Sequence, residues 1–168
     1  MSAALKVSID GGPYALAAGS GPYGITAGAD GALWFTAMTS GDHGHISVDG
    51  ELSGWPSVGG APSMIVTGPD NALWFTEILA DKLGRIPMDE PIQEMELPGK
   101  PHGVVADPDD GVWVSLWGAN QIARVSGDGA EVVTIDLPPG SEPHGLAIGP
   151  DGAAWVALES GYVLRMPT

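Results

Sequence analysis

The sequence predicts an all-β protein, a β-propeller built of four blades, each about 40 residues long and four strands deep. Three observations carry this. Trp34, Trp74, Trp113 and Trp155 lie 40, 39 and 42 residues apart. Pro22, Pro62, Pro101 and Pro143 repeat the same spacings. Between each proline and its tryptophan stands an Asp-containing turn, ADGA, PDNA, PDDG or PDGA. Such turns punctuate short antiparallel strands, and Asp-Gly or Asp-Asn tolerates the positive φ that tight hairpins demand.

Each unit reads in the same order. A first strand follows the junction proline. A second carries the tryptophan, as ALWFT, ALWFT, GVWVS and AAWVA. The third is HISVDG, KLGRIP, QIARVS and YVLRMP, and a more polar fourth is ELSGW, IQEMEL and EVVTIDL. The tryptophans read as blade-to-blade core, filling the wedge between neighbouring sheets. Residues 21–59, 60–98, 99–140 and 141–168 are the four blades of one domain spanning 1–168. The last unit ends after its third strand, so residues 1–20, including PYALAA, are expected to complete it and remove an open edge. The LKVSID segment resembles a further third strand that pairs within the chain or with another. Closure then takes one of two forms: a four-bladed ring, or two chains forming an eight-bladed ring as a homodimer.

Composition supports this class and excludes others. Glycine (26) and proline (15) make up roughly a quarter of the 168 residues, as befits a turn-rich β protein. The net charge of −15, with only six Lys and Arg, opposes a nucleic-acid partner. Acidic surfaces of this kind keep β-rich proteins from self-associating. With no cysteine there is neither a disulfide framework nor a thiolate metal site. No apolar run reaches membrane-spanning length, and MSAALKVSIDGG lacks a signal-peptide core, so no membrane association and a cytoplasmic location are expected.

The residue after each junction proline opens the strand nearest the propeller axis, where its side chain can face the central funnel. Those residues are Tyr23, Ser63, His102 and His144. Glu142 lies two residues before His144, and Glu159 four after Trp155, one hairpin away from His144. An imidazole beside carboxylates has its pKa held in the working range of a general base. Two carboxylates with waters suit Mg²⁺, which polarises a carbonyl and acidifies the adjacent carbon. The plainer reading is turn chemistry at Pro-His-Gly and a surface glutamate. His43 and His45, in GDHGHIS, read as exposed histidines of a Gly-rich hairpin.

Several stretches together resemble the virginiamycin B (streptogramin B) lyases: GPYGITAGADGALWFT, APSMIVTGPDNALWFTEI, KLGRI, SLWGANQIARV and EPHGLAIGPDGAAWVALE. The similarity runs from about Gly21 to the end. The blade motif is shared with non-catalytic propellers, whereas Pro-Tyr-Gly in the first blade with Glu-Pro-His-Gly and a late Glu in the last is far more specific. The resemblance implies a Mg²⁺-dependent lyase that linearises small cyclic depsipeptide antibiotics by C–O elimination at the ester, an antibiotic-resistance activity. It implies His144 as the general base that takes the α-proton, and Glu142 and Glu159 as the residues that position Mg²⁺. His102 would lie beside the leaving oxygen, and Tyr23 would line the substrate site. Glu77 falls three residues after its tryptophan and Glu159 four, an offset that turns a strand side chain to the other face. The departure is in size: the lyases have seven blades, and this chain has four. A non-catalytic scaffold or ligand-binding ring is therefore the alternative, and lactone hydrolysis by the same histidine and metal the third reading.

Overall fold

A computed structural model describes residues 14–55, 57–88 and 90–166. They form four antiparallel sheets in chain order. The first blade holds β1 (Pro22–Ala27), β2 (Leu33–Ala37), β3 (Asp42–Ile46) and β4 (Leu52–Trp55). The second holds β5 (Pro62–Thr67), β6 (Leu73–Glu77), β7 (Lys82–Ile86) and β8 (Gln93–Glu96). The third holds β9 (Pro101–Ala106), β10 (Val112–Leu116), β11 (Gln121–Val125) and β12 (Val132–Asp136), with a 3₁₀ turn at Trp117–Ala119. The fourth has three strands among the described residues, β13 (Pro143–Ile148), β14 (Ala154–Leu158) and β15 (Tyr162–Arg165). No described helix is long and apolar enough to cross a membrane.

The strand order within each sheet is the one the repeat predicts. The segment expected to supply the last blade's fourth strand lies outside the described residues up to residue 13, as does LKVSID. Residues 14–20 contain no strand, and Leu16 lines a groove with Phe35 and Leu52 of the first blade.

The hairpin turns work by a clasp that spacing does not reveal. The Asp30 carboxylate accepts from the Ala32 amide and the Trp34 indole N–H, both at 3.0 Å, and Asp70 does the same for Ala72 and Trp74. The positive φ falls on the following residue, Gly31 (82°) and Asn71 (65°). From the cross-strand position Arg85 donates to Asp70 at 2.6 Å and lies over the Trp74 ring. Arg165 donates to Asp151 in the fourth blade. In the third, Asp107, earlier in its turn, takes that role for Arg124.

Blades join by a second repeated device. The inner strand slips register just after each junction proline, between Pro22 and Ile25, Pro62 and Ile65, and Pro143 and Leu146. The β9–β10 pairing slips at the matching place. A hydroxyl on the neighbouring strand serves the bulge: Thr36 accepts from Gly24 N, Thr76 from Met64 N and Ser115 from Gly103 N. The same hydroxyls donate across the seam to the next blade, Thr36 to Ser63 O, Thr76 to His102 O and Ser115 to His144 O. Around these stitches the tryptophans pack as expected. Trp34 meets Ile65, Leu73, Phe75 and Ile86; Trp74 meets Val104, Val112, Val114 and Val125; Trp113 meets Ala154, Val156 and Leu158.

Inner strands pack β1 on β5, β5 on β9 and β9 on β13, so the blades form an arc. Among the described residues its two end faces are more exposed than the seams between blades. Trp34, Trp74 and Trp113 are 2%, 0% and 7% exposed, whereas Trp155 is 38% exposed. Ile25, the counterpart of Ile65 (6%), is 63% exposed.

The reading of His43 and His45 as exposed loop histidines is corrected. Both lie within β3, and His43 is buried, its ring 4.1 Å from that of Phe75 in the next blade. Gly44 between them permits this, because a Cβ there would strike the Phe35 ring. Burial lowers the His43 pKa to about 4, against a smaller upward pull from Asp42.

Candidate functional site

The bulge after each junction proline aims one side chain off the sheet, a common use of bulges beside sites. In blades three and four that residue is histidine. The His102 and His144 rings come to 3.8 Å between centroids across the seam, tilted by 46°. The Ser115 hydroxyl, 2.6 Å from the His144 carbonyl, ties the backbone of one histidine to the blade of the other.

Glu159 closes the group. It follows β14, where Leu158 takes the buried slot that Glu77 fills in blade two, so the one-residue offset leaves Glu159 exposed and Glu77 fully buried. Its Oε1 lies 3.3 Å from His144 Nε2, each side chain a little under half exposed. The Glu159 amide donates to the Glu142 carbonyl at 3.2 Å, which sets the two glutamates side by side.

Glu142 has a left-handed backbone, φ 48°, immediately before Pro143. The same geometry recurs before the other junction prolines, at Gly21, Ala61 and Lys100. A non-glycine residue holds it here because the Glu142 amide donates to the Asn120 side-chain carbonyl at 3.0 Å. Asp81 does the matching work for Gly99 and Lys100. Asn120 was not among the sequence candidates. Its signal was an asparagine in GAN, a residue type that accepts the left-handed φ of 53° it adopts.

Burial depresses the His102 pKa, the neighbouring His144 lowers it further, and Glu159 opposes both. His102 therefore stays neutral at pH 7. Its Nδ1 is buried without a hydrogen bond. Tyr23 heads β1 and is more than half exposed, three blades along the arc from His144. The structure thus gathers His102, His144, Glu142 and Glu159 and leaves Tyr23 at the far end.

Among the described residues no three or more His, Cys, Asp or Glu side chains converge as an all-protein metal cage. Glu142 and Glu159 both carry exposed carboxylates on backbone joined by the Glu159 amide–Glu142 carbonyl bond. Exposed carboxylates are the donor type that Mg²⁺ takes, because it keeps several waters and binds through one or two carboxylates. A cleft of about 690 Å³ lies at the opposite end of blades one and two, around Asp30, Asp70 and Arg85. It gathers none of these groups.

Known proteins resemble this chain in sequence and in fold. The profile of the Virginiamycin B lyase family matches residues 6–100 and 61–166. A virginiamycin B lyase from Mycobacterium sp. (strain KMS) is 57% identical over 81 residues, 48% of this chain and 29% of that protein. One from Mycolicibacterium smegmatis is 58% identical over 56 residues, 33% of this chain and 17% of that protein. A streptogramin B lyase structure superposes with a TM-score of 0.79 at 38% identity, covering 88% of this chain and 52% of its own. A catalytically inactive histidine-to-alanine variant of the Staphylococcus aureus virginiamycin B lyase, with quinupristin, gives 0.77 at 32% identity, covering 88% and 56%. The chain spans about half the length of these solved structures and less than a third of the curated relatives.

Proposed function

The chain belongs to the virginiamycin B lyase family, and from that premise we propose that it opens cyclic depsipeptides of the streptogramin B type by C–O elimination. The observation that carries the proposal is the His144–Glu159 pair, 3.3 Å apart beside the His102 ring. The relative whose histidine-to-alanine variant is catalytically inactive supports a histidine-dependent reaction on a quinupristin-like substrate.

His144 takes the proton α to a carbonyl. The electron pair of the broken C–H bond forms a carbon–carbon double bond, and the ester C–O bond breaks with its pair leaving on oxygen. Glu159 holds the imidazole in place and stabilises the imidazolium as it forms. His102, neutral, offers an N–H to the departing oxygen. Glu142 and Glu159 would hold Mg²⁺, which when bound polarises the carbonyl and acidifies the α-carbon.

Purified chain is incubated with a type B streptogramin and Mg²⁺, and products are read by mass spectrometry and ultraviolet absorbance. Elimination gives an opened product with the substrate's mass and a new double bond. Hydrolysis gives a product heavier by one water, which would replace elimination with lactone cleavage. Unchanged substrate under all conditions would favour a second reading, a non-catalytic binding module. The observation behind that reading is Trp155, 38% exposed where Trp34, Trp74 and Trp113 are buried.

A further inference from the structure

We propose that Lys100, resting on the Trp117 ring, receives the carboxylate that opening of the depsipeptide ring releases. The inference rests on the ring-opening reading above, whether by elimination or by hydrolysis.

Two adjacent blades carry one set of positions with different charge. Leu116 pairs with Pro101 and Leu158 with Pro143, so the residues flanking them correspond. Lys100, His102 and Trp117 of blade three thus answer to Glu142, His144 and Glu159 of blade four. The backbone repeats the match: the Trp117 amide donates to the Lys100 carbonyl and the Glu159 amide to the Glu142 carbonyl, both at 3.2 Å. The two sets are also joined. Trp117 opens the 3₁₀ turn that Asn120 ends, and the Asn120 side chain accepts from the Glu142 amide.

Lys100 differs from the other cations. Among the described residues Lys82, Arg85, Arg124 and Arg165 each pair with a carboxylate. Lys100 pairs with none, in a chain with 21 Asp and Glu. Its Nζ instead lies 5.3 Å from the centre of the Trp117 ring, a contact that holds an ammonium without neutralising it. Its stem crosses Gly118, where a Cβ would press on Cγ and Cδ at 3.2 Å. The backbone is fixed as well: Lys100 has φ 54°, and the Asp81 carboxylate accepts from its amide at 2.8 Å. The Trp117 Nε1 is buried without a hydrogen bond, a placement that folding alone does not favour. Lys100 is therefore an exposed, positioned ammonium that keeps its charge, two residues from His102.

The reaction creates a charge to match. The intact ester is neutral. In elimination the C–H electron pair becomes the double bond, the proton goes to His144, and the alkyl C–O bond breaks with its pair on the carboxylate. In hydrolysis water adds across the acyl C–O bond, and ionisation of the new acid leaves the same carboxylate. Either way one negative charge appears on the oxygen side of the broken bond. Glu142 and Glu159 repel it from blade four, and Lys100 draws it to blade three. A hydrogen bond from an ammonium to a carboxylate is charge-assisted, so Lys100 favours the product, and the transition state leading to it, over the ester.

Isothermal titration calorimetry on the intact chain tests this with two probes. One is the linear hydroxy acid made by alkaline hydrolysis of a type B streptogramin, the other its C-terminal amide. At pH 7 the acid should bind wild type about tenfold more tightly than the amide. Lys100→Gln should bind both alike at an unchanged urea midpoint, and Lys100→Arg should keep the preference. Trp117→Leu should shrink it about threefold. Equal binding of acid and amide by wild type, no binding of either, or a preference kept by Lys100→Gln would overturn the proposal. A preference indifferent to Trp117→Leu would remove the ring from it. No readout here needs turnover. A chain that holds the acid through Lys100 yet leaves the intact ester unchanged overturns the lyase reading alone.

Discussion

The Ser115 hydroxyl donates to the His144 carbonyl across the seam between blades three and four, 2.6 Å away, while accepting from Gly103 N within its own blade. One buried oxygen thus satisfies a bulged amide and anchors the strand that carries the candidate base. Ser115→Ala leaves both backbone groups short of a partner and should destabilise the fold by about 1–3 kcal/mol in urea unfolding. Ser115→Thr keeps the hydroxyl that Thr36 and Thr76 supply elsewhere and should recover most of that loss.

Glu159→Gln should separate chemistry from stability. The side chain is nearly half exposed, so the unfolding free energy should stay within about 0.5 kcal/mol of wild type. Without the charge opposite His144, turnover of a type B streptogramin should fall about 10²-fold or more. An unchanged rate would remove Glu159 from the mechanism.

Two buried titratable groups at the first seam give opposite pH responses. His43 protonates at about 4 in the fold and near 6.5 when free. Between those values the unfolded chain binds the extra proton, so its contribution to stability rises with pH. Glu77, pushed up to about 7 by burial and by Glu94 against the pull of Lys82, has an ordinary value of 4.5. There the folded chain holds the extra proton, so its contribution is full below 4.5 and is lost as pH rises through 7. The two slopes oppose each other between about 4.5 and 6.5.

His43→Leu, copying Leu83 of blade two, should leave stability falling with pH. Glu77→Leu, copying Leu116 and Leu158, should leave it rising. Each swing is on the order of 3 kcal/mol across its window. Urea midpoints from pH 4 to 8 read both.

Glu142 sits at positive φ where glycine would be relaxed. Glu142→Gly should stabilise the fold by about 1 kcal/mol, while Glu142→Gln should leave stability unchanged. If Glu142 helps hold Mg²⁺, both variants should need a higher Mg²⁺ concentration for half-maximal turnover than wild type.

The repeat made the blades legible because tryptophan, junction proline and turn aspartate all answer to one period. The offset between Glu77 and Glu159 was also readable, since a strand alternates faces and the structure buries one and exposes the other. What stayed hidden depends on register between strands and blades. The burial of His43 required knowing that Phe75 of the next blade lies over it. The Arg85–Asp70 and Arg165–Asp151 clasps join residues on different strands. Asn120 acts on Glu142 across a blade boundary. Tyr23 shares a repeat position with His144, yet equivalence along the chain sets no distance around an arc.

The seams joining the blades also set where the protein opens first. Each blade touches only its neighbours, so local stability follows nearest-neighbour rules, as in a one-dimensional repeat array. Blades two and three have two seams each, and amides of β6, β7, β10 and β11 should resist hydrogen exchange to nearly the global limit. Blade four, with one seam among the described residues, should open at lower cost. The candidate base His144 therefore rides on a unit held by a single seam among the described residues, and its amides should exchange sooner than those of blades two and three.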